Sequence, residues 1–202
     1  MKKQISAKKN AHHHGDLRNA LISAGIELLN EAGVEGLTLR KCAARAGVSH
    51  AAPAHHFRGL KGLITAIVTR GYKLFGAEMN QYIAAAEPDP KSRLRGCCKG
   101  YVQFSRSHKA LASIIFNKAN CFEDEPEWQE AADAAYQVLV DICAPFKHRH
   151  DRPELTEIAV WTMLEGYVNF ERNGVINDGY RHSTQLHIDL LIDMLCLEVA
   201  SD

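Results

Sequence analysis

Cysteine and histidine are the residues of this sequence whose chemistry could support covalent catalysis. Six cysteines are scattered along the chain without a C-x-x-C pair: Cys42, Cys97, Cys98, Cys121, Cys143 and Cys196. A catalytic thiol needs a neighbouring base, and Cys97 or Cys98 with His108 is the candidate pair. No recognised local signature frames that pair. We therefore expect no enzyme activity and interpret the cysteines as small core residues.

Three consecutive histidines near the N-terminus, His12, His13 and His14, raise the question of a metal site. Imidazole is the commonest metal ligand in proteins. Consecutive residues just before a helix cannot easily enclose one ion, and no cysteine or acidic partner lies at ligand spacing. We predict a surface run here, and we expect neither a bound metal nor a cofactor.

The charge of the chain is divided along its length. Its 202 residues carry 24 Lys and Arg and 24 Asp and Glu, so the formal net charge is zero. Residues 1–75 have a net charge of +8, however, and residues 76–202 have a net charge of −8. Such asymmetry indicates a segment that meets a polyanion, joined to one that does not.

The composition and the apolar runs limit the class of protein further. A hydrophobic fraction of 46% with 24% charged residues is that of a globular protein and disfavours disorder. No apolar run approaches the roughly 18 to 20 residues of a membrane span, and the basic N-terminus lacks the apolar stretch of a signal peptide. We expect a cytoplasmic protein with reduced thiols and no membrane partner.

The apolar pattern predicts an all-α fold. Apolar residues recur at three- and four-residue steps in residues 16–33, which predicts a first helix that ends at Gly33. Thr38 is a plausible N-cap for a short second helix that stops at Gly47. Ser49 is expected to cap a third helix of barely two turns, and a longer helix follows over residues 60–86.

Two short helices joined by a tight turn, after one longer helix, have the layout of a helix-turn-helix. In such a unit the last short helix enters the major groove of DNA. The alanines of the sequence AARAGVSHAAPAHHF (residues 43–57) would let that helix approach the base edges. Val48 and Phe57 are expected to be buried anchors that fix its docking angle.

The run LRNALISAGIELLNEAGVEGLTLRKCAARAGVSHAAPAHHFRGLKGLI (residues 17–64) resembles the N-terminal DNA-binding domain of TetR-type transcriptional regulators. The resemblance rests on a Thr-led second helix, an A-G-V-S turn and a closing H-F at the family's intervals. YVQFSRSHKALASIIF and VWTMLEGYVNF resemble one class of TetR C-terminal domain, the type marked by a Trp and a His-Gly pair. Glu165 stands at the position of that histidine.

The resemblance implies two sets of DNA-binding residues. Nearest the bases it places Ser49, His50, Ala51, Ala52 and His55. On the DNA backbone it places Thr38, Arg40, His56, Arg58 and Lys61. The family's usual Tyr is replaced by Ala54, and its usual Lys-Glu is replaced by Leu60 and Lys61, so the basic side chains nearby would have to supply those phosphate contacts. His56 has packing of the recognition helix as its alternative role.

The acidic part of the chain is predicted to be a helical domain that binds an effector and dimerises. A broad aromatic face on the helix over residues 154–171 suits a pocket, and it suits an ordinary core nearly as well. The predicted ligand-binding residues are Phe104, Phe116, Tyr136, Trp161, Glu165 and Tyr167. The terminal helix STQLHIDLLIDMLCLEVA is apolar on almost every side, which predicts a homodimer through the C-terminal helices.

These observations predict three segments: a flexible basic arm over residues 1–14, a helix-turn-helix domain over residues 15–75, and a helical domain over residues 76–202. The predicted function is that of a ligand-responsive regulator, most simply a repressor, which binds a palindromic double-stranded DNA operator as a homodimer and answers to a small molecule. Two alternatives remain. One is a redox- or metal-responsive regulator on the same scaffold, and the other is the Cys/His enzyme considered first.

Overall fold

The computed structural model describes residues 2–148, 152–176 and 188–200, with side chains from residue 17 onward. In these ranges the chain forms eight α-helices, which confirms the all-α fold class. They are α1 (Lys2–Ala32), α2 (Leu39–Arg45), α3 (Gly59–Ala84), α4 (Pro90–Ser107), α5 (Lys109–Ile114), α6 (Pro126–Cys143), α7 (Pro153–Arg172) and α8 (Ile188–Met194). Among them, none is both long and apolar enough to cross a lipid bilayer.

Helix α1 begins at Lys2, so residues 2–14 have helical backbone where we predicted a flexible arm. The segment contains no proline and no glycine before Gly15, and its Ala, Lys and Gln residues favour the helix. The side chains of His12, His13 and His14 lie outside the described residues. Helix α1 stops at Gly33, as predicted, because Gly33 adopts a left-handed φ of 64° while its N–H bonds to the carbonyl of Leu29 at 3.0 Å.

The chain divides into two compact units, the first comprising residues 1–71 and 110–129, and the second comprising residues 72–109 and 130–202. The domain boundaries that the sequence suggests at residues 15 and 75 stay predictions. The core of the first unit is built mainly from α1, α2 and α3. Its most deeply buried side chains include Leu21, Leu37, Cys42, Leu63, Ile67, Leu111 and Ile115.

In the second unit, α4 packs against α7 and α8. Asp89 caps α4, since its carboxylate accepts a hydrogen bond from the N–H of Ser92 at 2.9 Å. Hydrogen bonds from the side chain and then the backbone of Ser92 hold the pKa of Asp89 below its usual value. Two glycines of α4 lie against α3. A Cβ at Gly96 would stand 2.7 Å from the carbonyl oxygen of Tyr82, and one at Gly100 would stand 2.7 Å from the Cα of Met79.

The predicted terminal helix is wrong beyond Met194, because α8 ends there and residues 195–200 are not helical. Cys196 has a positive φ of 50°, and the chain then pairs with residues 145–147. The N–H of Lys147 donates to the carbonyl of Glu198 at 2.7 Å, and Phe146 and Val199 form an antiparallel bridge. Backbone pairing therefore replaces the helical bonds that the apolar sequence suggested. Residues 183–187 of the predicted helix lie outside the described residues.

Candidate nucleic-acid interface and effector residues

Helix α2 begins where the sequence predicts. The hydroxyl oxygen of Thr38 accepts a hydrogen bond from the backbone N–H of Lys41 at 3.2 Å, so Thr38 caps the helix. The Nζ of Lys41 donates to the carbonyl of Gly36 at 3.1 Å, which ties α2 to the preceding turn. Arg40 is exposed on the first turn of α2. Its contact with the DNA backbone stays a prediction.

Arg45 holds α2 against α1 by pairing with two glutamates. Its guanidinium lies 3.2 Å from the carboxylate of Glu27 and 2.6 Å from that of Glu31. The hydrogen bond from Arg45 holds the pKa of Glu31 below its ordinary value. The pairs are exposed and each contributes little to stability. Their effect is to pair Arg45 with α1.

The predicted recognition helix is a single 3₁₀ turn, Ala52–His55, rather than two turns capped by Ser49. Ala51 occupies the N-cap position, and no side chain caps the turn. One feature of the sequence explains this difference. Pro53 has no N–H, so it cannot donate the hydrogen bond to the carbonyl of Ser49 that an α-helix capped there would need. The turn before it uses Gly47 with a φ of 68°.

The residues predicted to lie nearest the bases are on the surface of this turn. Ser49, His50, Ala51 and His55 are exposed, and Ala52 is half-buried. Pro53 and Phe57 are buried, which confirms the predicted burial of Phe57, whereas the predicted burial of Val48 is wrong because Val48 is half-buried. That Phe57 fixes the docking angle stays a prediction. His56 is half-buried, and the centre of its ring lies 6.3 Å from that of Phe57. This geometry is consistent both with packing of the turn and with a phosphate contact.

Arg58 and Lys61, both predicted phosphate contacts, face residues 122–127 of the same unit, whose sequence is FEDEPE and which we call the acidic segment. The Arg58 guanidinium lies 2.9 Å from a carboxylate oxygen of Glu125 and 4.2 Å from the ring centre of Phe122. The Nζ of Lys61 is 5.1 Å from the same ring centre. From the sequence, no function was assigned to this segment. Its four carboxylates beside an aromatic residue are the sequence feature from which a contact with basic side chains could have been predicted.

The thiols of the chain are mostly buried and protonated. Burial raises the pKa of Cys97 and that of Cys143 to about 12, and it raises the pKa of Cys98 well above its ordinary value. A protonated thiol is a poor nucleophile. This environment therefore argues against the Cys/His enzyme and the redox-responsive alternative. Of the six, Cys196 is exposed. In the described ranges, no three His, Cys, Asp or Glu side chains are grouped to hold a metal ion.

Three side chains from α4 and α7 form a polar chain inside the second unit. The Tyr101 hydroxyl donates to a carboxylate oxygen of Glu165 at 2.7 Å, and Trp161 is a hydrogen-bond partner of the same hydroxyl. Burial and the Glu165 charge raise the pKa of Tyr101, so the phenol stays protonated. Trp161 and Glu165 are half-buried and lie four residues apart on α7, which places them on one face. The structure thus brings two predicted ligand-binding residues together.

The other predicted ligand-binding residues occupy varied positions. Phe104 is buried beside Phe75, with ring centres 5.1 Å apart. The exposed Tyr136 lies 5.8 Å from the Trp161 ring, and its hydroxyl donates to a carboxylate oxygen of Glu157 at 2.5 Å. Tyr167 is buried. Phe116 is half-buried and lies in the first unit, whereas the other five predicted ligand-binding residues lie in the second unit. Whether any of them touches a ligand stays a prediction.

Glu157 is a buried carboxylate that sequence reasoning missed. Only 7% of the residue is exposed, and it lies on α7 between the buried Thr156 and the exposed Ile158. Its hydrogen bond from Tyr136 raises the pKa of that phenol to about 12. No sequence signal distinguished Glu157 from the surface glutamates around it, because the pairing depends on how α6 and α7 pack.

Comparison with known proteins gives two family matches. Residues 21–67 match the family described as "Bacterial regulatory proteins, tetR family". Residues 94–195, half of the chain, match the family described as "Tetracyclin repressor-like, C-terminal domain". The first match contains the predicted helix-turn-helix, and the second contains α7 with Trp161 and Glu165.

Curated relatives match over about half of the chain. The HTH-type transcriptional regulator BetI of Yersinia pestis (strain Pestoides F) is 33% identical over 94 residues, which are 46% of this chain and 48% of that protein. The tetracycline repressor protein class A from transposon 1721 of Escherichia coli is 32% identical over 123 residues, which are 61% of this chain and 54% of that protein. The chain spans about half the length of the curated relatives it matches.

Solved structures share the fold over most of the chain. A TetR family transcription regulator from Marinobacter aquaeolei VT8 has a TM-score of 0.69 at 16% identity, covering 94% of this chain and 100% of that one. A protein of unknown function from Rhodococcus sp. RHA1 has a TM-score of 0.72 at 24% identity, covering 89% and 91%. At these identities the likeness concerns the fold alone.

Proposed function

The chain belongs to the TetR family of bacterial regulatory proteins, and from that premise we propose that it is a ligand-responsive repressor. It binds a palindromic DNA operator as a homodimer in the cytoplasm, and a small molecule in the helical domain lowers its affinity for that operator. It performs no catalytic step. The proposal assigns DNA binding to residues 15–75 and effector binding and dimerisation to residues 76–202.

The observation that carries this proposal is the surface of residues 49–55. The turn is short, its outer residues are small or carry imidazole, and Phe57 is buried beneath it. A backbone with few bulky side chains can approach base edges closely, where a small number of polar groups discriminate between sequences. The surrounding residues 1–75 carry the net charge of +8 that attraction to phosphate requires.

The proposed effector interacts with the polar chain of Tyr101, Trp161 and Glu165. A carboxylate among aromatic rings is costly unless hydrogen-bond donors or a positive charge compensate it. Tyr101 supplies one donor in the ligand-free chain. An effector that carries a positive group on an apolar body would supply charge to Glu165 and stack on the neighbouring indole and phenol rings.

The proposed homodimer interface uses apolar side chains that α7 and α8 leave exposed. Ile158 on α7 is 51% exposed, and Leu190 and Met194 on α8 are 58% and 78% exposed. Large apolar residues at such exposure mark an interaction surface when they lie on neighbouring elements. A two-fold axis would cover the same surface on each subunit and would present two recognition turns to successive major grooves.

Selection from duplexes that carry about 30 random base pairs tests the DNA-binding proposal, because this length holds two half-sites about 34 to 36 Å apart. We expect the full chain to enrich sequences that share an inverted repeat. A selected pool that remains as random as the starting one would contradict the proposal.

Two probes of equal size and opposite charge test the effector proposal. Tetraphenylphosphonium should raise the Tm of the protein and weaken its binding to the selected operator, whereas tetraphenylborate should do neither. Glu165→Gln keeps the hydrogen-bond acceptor but removes the charge, so this variant should bind operator normally and lose the response to the cation. Glu130→Gln, an exposed carboxylate on α6, is the matched control. An unchanged response in Glu165→Gln would show that Glu165 has only a structural role.

A further inference from the structure

The acidic segment, residues 122–127, makes a set of contacts within the first unit that neither the family resemblance nor the proposed function explains. It connects a 3₁₀ turn at Lys118–Asn120 to helix α6, and it carries the carboxylates of Glu123, Asp124, Glu125 and Glu127. An exposed run of this charge would be expected to extend into solvent. Instead it lies against basic residues of α1 and of the turn before α3.

The anchor of the segment is a backbone contact. The N–H of Phe122 donates to the hydroxyl oxygen of Thr65 at 2.9 Å, and Thr65 is 3% exposed. The Thr65 hydroxyl in turn donates to the carbonyl of Lys61 at 2.8 Å, so it is hydrogen-bonded in both directions. A buried hydroxyl with both bonds satisfied is costly to displace. This anchor fixes the point at which the acidic segment meets α3.

Around this anchor, the carboxylates pair with arginines. Glu125 lies 2.9 Å from the guanidinium of Arg58, and Asp124 is 4.0 Å from the same group. Glu127 lies 3.2 Å from the guanidinium of Arg18 on α1. The Phe122 ring meanwhile lies beneath both Arg58 and Lys61 at cation–π distance.

We propose that the acidic segment is an autoinhibitory element that occupies Arg58 and Lys61 in place of DNA phosphates. This inference rests on the proposed function, in which both side chains bind the DNA backbone. A carboxylate and a phosphate oxygen compete for the same guanidinium donors, and the Nη2 donor that Arg58 gives to Glu125 is not available to a phosphate oxygen while that pair holds. A phosphate contact through this donor then requires that the internal pair break.

Neutralising the segment tests the proposal. In Asp124→Asn/Glu125→Gln, the side chains keep their size and lose their charge, so Arg58 becomes available to phosphate. Release of Arg58, counted as one exposed ion pair per subunit, changes an equilibrium by about two- to fivefold. We therefore expect the affinity of a dimer for a mixed-sequence DNA duplex to rise by about four- to 25-fold. The slope of log K against log salt should steepen by about one unit per subunit.

Two matched variants separate competition from a general effect of charge. Glu130→Gln/Asp133→Asn removes the same number of charges from exposed positions of α6, and it should leave the affinity within about twofold of wild type. When Asp124→Asn/Glu125→Gln is combined with Arg58→Gln, the gain in DNA affinity should disappear, because the donor for which carboxylate and phosphate compete is absent. Circular dichroism and Tm verify that each variant is folded.

The outcomes distinguish failure of this inference from failure of the proposed function. If the wild-type chain binds no duplex at low salt, DNA binding itself is wrong. If wild type binds and Asp124→Asn/Glu125→Gln binds equally or more weakly, the segment positions Arg58 rather than inhibiting it, and the inference is overturned. An equal gain in Glu130→Gln/Asp133→Asn would also overturn it, since the effect would then be one of net charge.

Discussion

Arginine and histidine side chains of the predicted DNA interface should act through different terms of the binding free energy. A side chain that neutralises a phosphate strengthens binding to every sequence, in proportion to the counterions it releases. A side chain that touches a base edge discriminates between sequences. Arg40, exposed on the first turn of α2, is predicted to act in the first way, and the exposed His50 and His55 in the second.

Arg40→Ala is therefore expected to weaken binding to all duplexes alike and to reduce the salt slope by about one unit for each phosphate that is no longer neutralised. His50→Ala or His55→Ala should instead reduce the preference for the selected site by about 1 to 3 kcal/mol. Fluorescence anisotropy on selected and scrambled duplexes over a salt series measures both quantities. The assignment is wrong if Arg40→Ala changes sequence preference while the histidine variants do not.

The buried thiols of Cys97 and Cys143 give the protein an alkaline limit of stability. Their pKa is about 12 in the folded chain, against an ordinary value of 9.0. Below pH 9 both thiols are protonated whether the chain is folded or unfolded, so their contribution is constant. Above pH 9 the unfolded chain loses these protons first, and the free energy of unfolding falls as pH rises towards 12.

At a pH one unit above the ordinary thiol pKa, each of these two thiols should lower the free energy of unfolding by about 1.4 kcal/mol. Cys143→Ala should be less stable at neutral pH because it leaves a cavity, but its stability should decline less steeply between pH values of about 8 and 10. Urea unfolding across that range measures the slope. A wild-type slope in Cys143→Ala would contradict the prediction.

At the scale of the elements, the close packing of α3 and α4 depends on two glycines. Backbone atoms of α3 occupy the positions that a side chain at Gly96 or Gly100 would need. Backbone cannot rotate aside as a flexible side chain can, so a methyl group would force the two helices apart. Gly166 on α7 is different, since a Cβ there would meet no atom within 4 Å among the described residues.

The same substitution should consequently have opposite effects at two helical glycines. Gly100→Ala is expected to destabilise the protein by about 1 to 3 kcal/mol through overpacking. Gly166→Ala should stabilise it by up to about 1 kcal/mol, because alanine has the higher helix propensity and nothing opposes its methyl group. Urea unfolding monitored by circular dichroism compares the two. Stabilisation by Gly100→Ala would show that the helices separate at little cost.

Short-range sequence signals, such as caps, stops and apolar periodicity, were sufficient to predict several helices and their ends. Thr38 as a cap, Gly33 as a stop and the long helices α3 and α7 follow from short-range preferences that tertiary packing does not oppose. The predicted recognition helix was wrong because Pro53 lacks the N–H that a longer α-helix would need, and residues 52–55 form a 3₁₀ turn. The end of α8 was wrong because pairing with residues 145–147 competes with the helix.

The candidate sites were less predictable than the helices, because they depend on pairs of residues far apart in sequence. Glu165 and Trp161 share a helix face, and that proximity could be predicted from their spacing. Tyr101, which binds both of them, lies 64 residues from Glu165, and Glu125 lies 67 residues from Arg58. No local preference encodes such contacts, so they require the packed structure.

At the scale of the whole molecule, the exposed apolar residues of α7 and α8 should hold two chains together. Ile158→Glu and Met194→Glu each place a charge where the proposed dimer is desolvated, and we expect each variant to be monomeric or to have a much weaker dimer. Light scattering after gel filtration measures the mass. Ala134→Glu, at an exposed site of α6, is the control and should remain dimeric.

Truncation gives a second measure of the same surface. A chain that ends before Gln185 lacks α8, whose Ile188 and Ile192 are buried against its own unit. The loss would expose apolar surface on both the unit and the partner, so a monomer or an aggregate is expected. A soluble, fully active dimer after this truncation would exclude α8 from the interface.

The pairing of Arg58 with Glu125 has a consequence for how such a protein behaves inside a cell. A competitor that is part of the same chain acts at a local concentration set by the length and stiffness of the connecting backbone. It is therefore unaffected by how many copies of the protein are present. Weak, non-specific attraction to bulk genomic DNA would be reduced equally in every molecule, so that a larger share of a small population remains available to search for its specific site.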